Sequence, residues 1–331
     1  MRLLLCLRLR LLLPLPCFLQ VCDATCSGGL TPAIAAVCTA NGWDVSGCCV
    51  PADFDLYNVG SINNQPTSLP VGQAWTTQDS FGANYTWDEE VVTVAGENVW
   101  RISNAITKGS FSDQPMTYTS CEVAGETGSA LFNVRPLGNA LGTPLPGAYA
   151  TSNQFYWRVS FKSATGAAAQ PGLNIELASN AKYTSWRMSR LVIRDAGNGF
   201  NLTAIDTFGN ITSGATISIF TPIASGLSYT EFHTIETRIL FVDGITDLGN
   251  NIVGGNDVLQ VYLNGTLIHT GSTNEAYYYV SPASATEGLA PPRRQATDCL
   301  MFRVSGPAVT GTFDKGFYFS DVVVSNAFPV A

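Results

Sequence analysis

Apolar and polar residues alternate along most of the chain beyond residue 52. In residues 154–163, Phe155, Trp157, Val159 and Phe161 fall on one face and mostly polar residues fall on the other. Because successive side chains of a strand point to opposite sides, this period of two predicts a strand with one buried and one solvated face. The same period recurs in GLNIELAS, WRMSRLVIRD, HTIETRILFVD, DCLMFRVSG and KGFYFSDVVVSN.

Turn-forming residues divide these strands at short intervals. Gly, Asn, Asp and Pro separate runs rich in Val, Ile, Thr, Tyr and Phe, and no segment beyond residue 52 keeps a helical period over three turns. This spacing is typical of an all-β sandwich. We therefore predict one domain over residues 52–331, an all-β sandwich of two antiparallel sheets with long loops between its strands.

An Asn-Gly pair at residues 264–265 predicts a tight hairpin. Asn-Gly between alternating apolar residues suits a type I′ turn, whose two central residues both need a positive φ. Pairing across a two-residue turn places Gln260 opposite His269, on the face that also carries Tyr262. We predict that these three side chains bind a ligand together.

The N-terminal residues have the organisation of a secretory signal. A basic start is followed by an apolar stretch from Leu11 to Val21 and by a small residue, Ala24, where a signal peptidase can cut. We predict that residues 1–24 are a signal peptide and that the protein is secreted or held at the cell surface; a lipoprotein anchored at Cys22 is the alternative. Secretion also predicts glycosylation, whose acceptor asparagines are Asn84, Asn201, Asn210 and Asn264.

Cysteines are concentrated behind this signal. Six of the nine lie beyond residue 24, and an even number in an oxidising compartment predicts three disulfides. Residues 25–51 hold four of them, so we predict a small cysteine-rich cap in which Ala33 to Cys38 form two helical turns; a carbohydrate-binding cysteine knot is the alternative. The six are Cys26, Cys38, Cys48, Cys49, Cys121 and Cys299.

The overall charge argues against a nucleic-acid partner. The 331 residues are 46% hydrophobic and 13% charged, with 17 basic and 25 acidic residues and a formal charge of -8. Such a chain can bury a large core, but it has no basic run interleaved with aromatic residues. The apolar stretch of the signal is also too short to span a bilayer, so no membrane span is predicted.

Several blocks resemble the concanavalin A-like or laminin G-like jelly-roll superfamily, and in particular secreted bacterial modules of unassigned function. They cover most of residues 95–326 and include GENVWRISNAITKGSFSDQP, WRMSRLVIRDAGNGF, NDVLQVYLNGTLIHTG and GFYFSDVVVSN. Sugar-binding and sugar-cleaving members place their residues on the concave sheet face, so the resemblance implies a carbohydrate site there.

Two branches of that superfamily cleave polysaccharides, and the sequence departs from both. The Glu-x-Asp-x-Glu strand of the glucanases is absent. WRMSRLVIRD and EAYYYV resemble the Arg-rich and Tyr-rich strands of the alginate lyases, but the Gln-x-His strand of that branch is absent as well. The resemblance therefore favours carbohydrate recognition over cleavage.

One predicted strand carries several arginines. Trp186, Arg190 and Arg194 share one of its faces, whereas strict alternation places Arg187 on the other. Guanidinium groups suit uronate carboxylates and an indole suits a sugar ring, so this face is predicted to bind an acidic glycan. Cross-strand ion pairing is the alternative, and for these arginines the pattern favours it.

Glu176 and Glu236 are the candidate catalytic residues. Each lies on the polar face of a predicted strand, and two carboxylates held a few ångströms apart can cleave a glycosidic bond. The alternative is that each forms an ion pair with a nearby arginine.

The segment DGITDLGNNIVGGND is a candidate calcium loop. It offers Asp243, Asp247 and Asp257, and oxygen donors in a loop are the ligands that Ca²⁺ prefers. The alternative is that its Asp, Asn and Gly residues form turns. His233 and His269 form no zinc motif, so no other cofactor is predicted.

Fold and candidate residues together predict a secreted carbohydrate-recognition protein that binds an extracellular or cell-wall polysaccharide through one sheet face. A polysaccharide lyase or glycoside hydrolase, acting by elimination or by acid and base catalysis, is one alternative. A structural or adhesive extracellular protein is the other.

Overall fold

The computed structural model describes most of the predicted sandwich and short parts of the cap. The described residues are 31–32, 37–39, 42–44, 48–52, 54–63, 65, 75–76, 86–107, 116–118, 154–180, 187–242, 244–280, 299–304, 306–325 and 328. The predicted signal peptide, Cys26, Asn84, Cys121, Trp186 and Asp243 lie outside the described residues.

Strands dominate the described residues. The described residues also include one short α-helix, α1 (Glu275–Val280), and 3₁₀ turns at Phe54–Leu56 and Thr310–Thr312. The strands are Thr31–Pro32 (β1), Val37–Thr39 (β2), Gly42–Asp44 (β3), Cys48–Ala52 (β4), Trp75–Thr76 (β5), Glu89–Val94 (β6), Glu97–Ile102 (β7), Met116–Tyr118 (β8), Gln154–Ser163 (β9), Asn174–Asn180 (β10), Arg187–Asp195 (β11), Phe200–Asn210 (β12), Thr216–Leu227 (β13), His233–Leu240 (β14), Thr246–Gly249 (β15), Ile252–Gly254 (β16), Val258–Leu263 (β17), Thr266–Gly271 (β18), Cys299–Arg303 (β19) and Phe317–Ser325 (β20).

Two antiparallel sheets contain nearly all of these strands. Sheet I has the order β1-β4-β20-β9-β14-β17-β18, and β7 pairs with β20 and with β6. Sheet II has the order β15-β16-β12-β11-β10-β19-β8-β5, and β13 pairs with β12. The predicted all-β fold of two antiparallel sheets is confirmed. No helix in the described part of the chain is long and apolar enough to cross a membrane.

The core lies between the two sheets and is rich in aromatic residues. Phe161 of sheet I lies 5.9 Å from Phe200 of sheet II between ring centroids, and Trp100 meets Phe302 edge-on at 4.9 Å. All four side chains are fully buried. Since burying one such ring contributes roughly 2–3 kcal/mol, the alternation of apolar residues determines which face of each strand turns inward.

The cap region differs from its prediction. Val37–Thr39 is a strand that pairs with β3, so the predicted helix over Ala33 to Cys38 is wrong where the structure describes it. β4 crosses the predicted boundary between residues 51 and 52 and pairs with β20. The end of the cap is therefore part of sheet I.

The predicted hairpin forms, but its register shifts by one residue. Leu263 pairs with Thr266 as predicted, and Asn264 takes the positive φ of 50° that the turn requires. An irregularity next to Tyr262 then pairs Val261 with His269. Because a slip of one residue moves a side chain to the other face, His269 leaves the face of Tyr262.

Candidate functional site

A carboxylate bonded to three arginines lies on the outer face of sheet II. Glu176 Oε1 accepts hydrogen bonds from Arg187 Nη1 at 2.9 Å and from Arg190 Nε at 3.0 Å. Its Oε2 accepts from Arg190 Nη2 at 2.8 Å and from Arg303 Nη1 at 3.4 Å. We call these four residues the arginine cluster. Three neighbouring strands, β10, β11 and β19, supply its side chains.

Strand periodicity explains two of these positions. Ile175 and Leu177 of β10 point into the core, so Glu176 between them points outward. The register of β10 against β19 places Arg303 directly opposite Glu176. Opposed residues share a face, and the two charges meet there.

Arg187 joins the cluster through a β-bulge. The pairing of β10 with β11 shifts between Ser179 and Asn180, so that Ser179 opposes Ser189 while Asn180 opposes Arg187. The extra residue reverses the alternation and turns Arg187 to the face of Arg190. The prediction that Arg187 lies on the opposite face is therefore wrong.

Helix α1 and the residue before it hold the bulge in place. Asn274 Nδ2 donates to the carbonyl oxygen of Arg187 at 2.9 Å, and Tyr278 Oη donates to the same oxygen at 3.1 Å. The helix rests on β12 at Gly209, where a Cβ atom would lie 2.6 Å from Val280. The segment EAYYYV is thus a helix on the outer face, not the Tyr-rich strand that the sequence suggests.

Positive charge exceeds negative charge in the arginine cluster. The side chain of Glu176 is 5% exposed, and those of Arg187, Arg190 and Arg303 are 8%, 18% and 8% exposed. Burial alone raises the pKa of Glu176, but the hydrogen bonds and charges of the arginines, with Arg190 foremost, lower it to about 2. Burial, together with the neighbouring guanidinium groups, lowers the pKa of Arg303 to about 10 despite its contact with Glu176.

The outer face of sheet I carries a different set of polar residues. Glu236 is hydrogen-bonded to Tyr156 and lies 3.7 Å from Arg238 Nη2. The guanidinium of Arg238 stacks on the ring of Tyr262 at 4.5 Å, and Tyr262 Oη donates to Gln260 at 3.2 Å. Burial, followed by the charge of Glu236, raises the pKa of Tyr156. On this face the positive charge of Arg238 is therefore close to the negative charge of Glu236.

The two predicted catalytic glutamates are not brought together. Glu176 lies on β10 of sheet II and Glu236 lies on β14 of sheet I, and each points away from the core between the sheets. They do not form the close carboxylate pair that the sequence suggests. The strand order, which the sequence does not reveal, is the reason.

The predicted ligand-binding residues are divided among three places. Gln260 and Tyr262 lie on the outer face of sheet I. His269 lies between the sheets, with Nε2 3.6 Å from Asp206 Oδ2. Arg190 belongs to the arginine cluster, whereas the exposed Arg194 pairs in register with Asn174 and Asn201 and does not reach Glu176.

The described part of the predicted calcium loop forms a short hairpin of β15 and β16 with turns around it. The buried Asp257 accepts hydrogen bonds from Val242 N at 2.9 Å and Thr273 Oγ1 at 2.6 Å. Asp247 accepts from Gly249 N at 2.8 Å. Among the described residues, no group of three or more His, Cys, Asp or Glu side chains could hold a metal ion. Calcium binding stays a prediction that rests in part on Asp243.

Three acceptor asparagines lie on described strands or turns. Asn264 is exposed at the hairpin and accepts from Thr234 N at 2.8 Å, and Asn210 caps its own turn by accepting from Thr212 N at 3.0 Å. Asn201 accepts from Gly226 N at 3.2 Å. Glycosylation at these positions stays a prediction, as do disulfides at Cys38, Cys48, Cys49 and Cys299.

Solved structures that match this one over much of its length include two lyases and a galectin. An endo-β-1,4-glucuronan lyase from Trichoderma reesei is 9% identical, with a TM-score of 0.38 and coverage of 77% of this chain and 95% of that one. The alginate lyase Aly36B is 8% identical, with a TM-score of 0.41 and coverage of 86% and 98%. The galectin LEC-6 of Caenorhabditis elegans is 11% identical, with a TM-score of 0.24 and coverage of 53% and 84%.

Similarity at this level does not bear on the chemistry of this chain. No protein-family model matches the sequence. No curated protein matches it with significance either.

Proposed function

We propose that the protein is a secreted carbohydrate-recognition protein that binds an anionic, uronate-containing polysaccharide at the arginine cluster without cleaving it. The observation that carries the proposal is the bonding of three arginines to the single carboxylate of Glu176. A chain with a formal charge of -8 has concentrated positive charge at one place on a sheet face.

The chemistry of the cluster suits carboxylate ligands. A guanidinium group presents a planar fork of donors that matches a carboxylate, and it stays charged in a partly buried site. Burial is the main cause of the lowered pKa of Arg303, and repulsion by the positive charges of Arg187 and Arg190 adds to it. An anionic sugar that approaches Arg190, the most exposed of the three, would relieve this repulsion.

We favour recognition over elimination because neither histidine lies on this face. A lyase needs a group that removes a proton from the sugar ring as well as a cation that neutralises the uronate. His233 lies at the core edge with Nε2 2.9 Å from the carbonyl oxygen of Ser228, and His269 lies between the sheets. The hydroxyl of Tyr278 donates to the carbonyl of Arg187.

Binding of charged and neutral polysaccharides tests the proposal. Isothermal titration with alginate and polygalacturonate should show binding, and a neutral β-glucan should show none. Arg190→Gln should weaken the affinity at least about tenfold, since a charge-assisted pair contributes roughly 1.5–3 kcal/mol. Arg190→Lys keeps the positive charge but not the planar fork of donors. Its affinity should therefore lie between those of the unmodified protein and of Arg190→Gln.

Arg158→Gln is the matched control on the opposite sheet. Arg158 is bonded to Asp321 at 2.6 Å on the outer face of sheet I, so its loss should leave the affinity unchanged. If the Arg158 and Arg190 variants lose affinity equally, the arginine cluster is not the binding site. Elimination produces unsaturated sugars, which absorb ultraviolet light. If such products accumulate, the protein is a lyase and the proposal of binding without cleavage is wrong.

A further inference from the structure

The edge of β13 is long, regular and uncharged. β13 pairs with β12 along one side, and no described strand pairs with its other side. Its register against β12 is regular from Thr216 to Thr221, and the irregularities lie further along the strand. Pro222 has no backbone N–H, so the stretch in which every residue can donate a backbone hydrogen bond ends before it. An edge of this kind is a template for pairing with another strand.

Large apolar side chains of β13 are exposed on both faces. Ile217 is 54% exposed, Ile219 is 47% exposed and Phe220 is 62% exposed. The two isoleucines oppose Phe208 and Asp206 of β12, so they share one face, and Phe220 lies on the other. Three such side chains next to each other on an edge strand mark a contact surface.

The charge distribution favours a second copy of this chain as the partner. No charged residue occurs between Asp206 and Glu231, although the chain carries a formal charge of -8. Two copies repel each other in general, and an uncharged strand is where they approach at least electrostatic cost. A charged partner would gain no ion pair on this edge.

The sequence of the strand is also self-complementary in an antiparallel arrangement. A twofold axis through Ser218 pairs Ile217 of one copy with Ile219 of the other, and the symmetry repeats that pair. Thr216 then opposes Phe220. Because paired positions differ by an even number of residues, the four isoleucines lie on one continuous face.

We propose that the protein forms a twofold dimer in which the β13 edges pair about Ser218 and join the two copies of sheet II into one continuous sheet. The inference does not depend on the proposed carbohydrate site, which lies on β10, β11 and β19. Pairing over the five residues from Thr216 to Phe220 gives a small interface, so the dimer forms reversibly.

Sedimentation equilibrium over a range of protein concentrations tests self-association. The average mass should rise from that of the monomer to that of the dimer as the protein concentration increases. Ile219→Lys should weaken dimerisation at least tenfold, because it places a charged side chain opposite Ile217 in both of the symmetry-related pairs. Ile211→Lys is the matched control, because Ile211 is 51% exposed in the same uncharged segment but lies in the turn before β13. It should dimerise like the unmodified protein.

Disulfide trapping tests the register. In a strand pair about a twofold axis the Ser218 Cα atoms lie about 4.5–5.5 Å apart, which suits a disulfide. Ser218→Cys should therefore form a covalent dimer on mild oxidation. Ser225→Cys, on the same strand but roughly 45 Å from its symmetry mate, should not.

Four results would overturn the proposal. A monomer at every concentration would remove the dimer. Dimerisation that survives Ile219→Lys would place the contact elsewhere. Equal trapping of the Ser218 and Ser225 variants would exclude the twofold register, and a complex that forms only with a different protein would replace the second copy as the partner.

Discussion

At the scale of single residues, Glu176 differs most from what its neighbours in sequence suggest. From the sequence alone, Glu176 is a polar residue of an alternating strand and a candidate acid catalyst. In the fold it is buried and bonded to three arginines, with its pKa lowered to about 2. A carboxyl group that stays ionised at all physiological pH values cannot donate a proton as an acid. Its role is to hold the arginines together.

Replacing Glu176 should therefore destabilise the protein. Glu176→Gln removes the negative charge that Glu176 supplies to buried guanidinium groups, and breaking such a pair costs roughly 3–5 kcal/mol. Because the folded pKa lies below the ordinary value of 4.5, the advantage of the native residue is complete above that pH and disappears as pH falls towards about 2. Urea denaturation of both proteins at several pH values measures this difference.

Glu236→Gln is the control for that measurement. Glu236 lies 3.7 Å from Arg238 on a partly exposed face, so its loss should cost less than about 1 kcal/mol. Equal destabilisation by the two substitutions, or a difference that does not change with pH, would contradict the assigned role of Glu176.

At the scale of elements, the arginine cluster depends on the contact between α1 and the start of β11. The helix has six residues and is too short to be stable by itself. It is held by the core, by Gly209 beneath it and by the bonds from Asn274 and Tyr278 to the carbonyl of Arg187. Both of these bonds are accepted by the carbonyl oxygen of Arg187, the residue that the bulge turns towards Glu176.

Asn274 is therefore expected to position the cluster without touching a ligand. Asn274→Ala removes one donor to Arg187 O and one acceptor for Thr207 Oγ1, which should cost about 2 kcal/mol. It should also weaken binding of alginate several-fold, because Arg187 loses its orientation. Asn201→Ala, which removes a bond to Gly226 N on the same sheet, is the matched control. Unchanged affinity in the Asn274 variant would contradict a positioning role.

At the scale of the whole molecule, the outer faces of the two sheets differ in charge. The face of sheet I pairs Arg158 with Asp321 and Arg238 with Glu236, whereas the face of sheet II gathers three arginines around Glu176. The proposed anion-binding surface is on the outer face of sheet II. The β13 edge, where we propose a second copy, is free of charge.

The six cysteines beyond residue 24 should be oxidised in the exported protein. No free thiol should then react with a thiol reagent under native or denaturing conditions, and reduction should lower the melting temperature, since each disulfide contributes roughly 2–4 kcal/mol. Titration with and without denaturant measures this. Six reactive thiols in the secreted form would refute both the disulfides and the predicted oxidising compartment.

The sequence by itself determined the fold class, the inward face of most strands and the hairpin at Asn264, because these depend on a period of two and on local turn chemistry. Only the tertiary structure decided which outward residues meet. Glu176 and Arg303 are 127 residues apart and join because β10 and β19 are neighbours, while Glu236 is separated from Glu176 by the core. Strand order and the bulges at Arg187 and His269 arise from long-range packing, which no local pattern encodes.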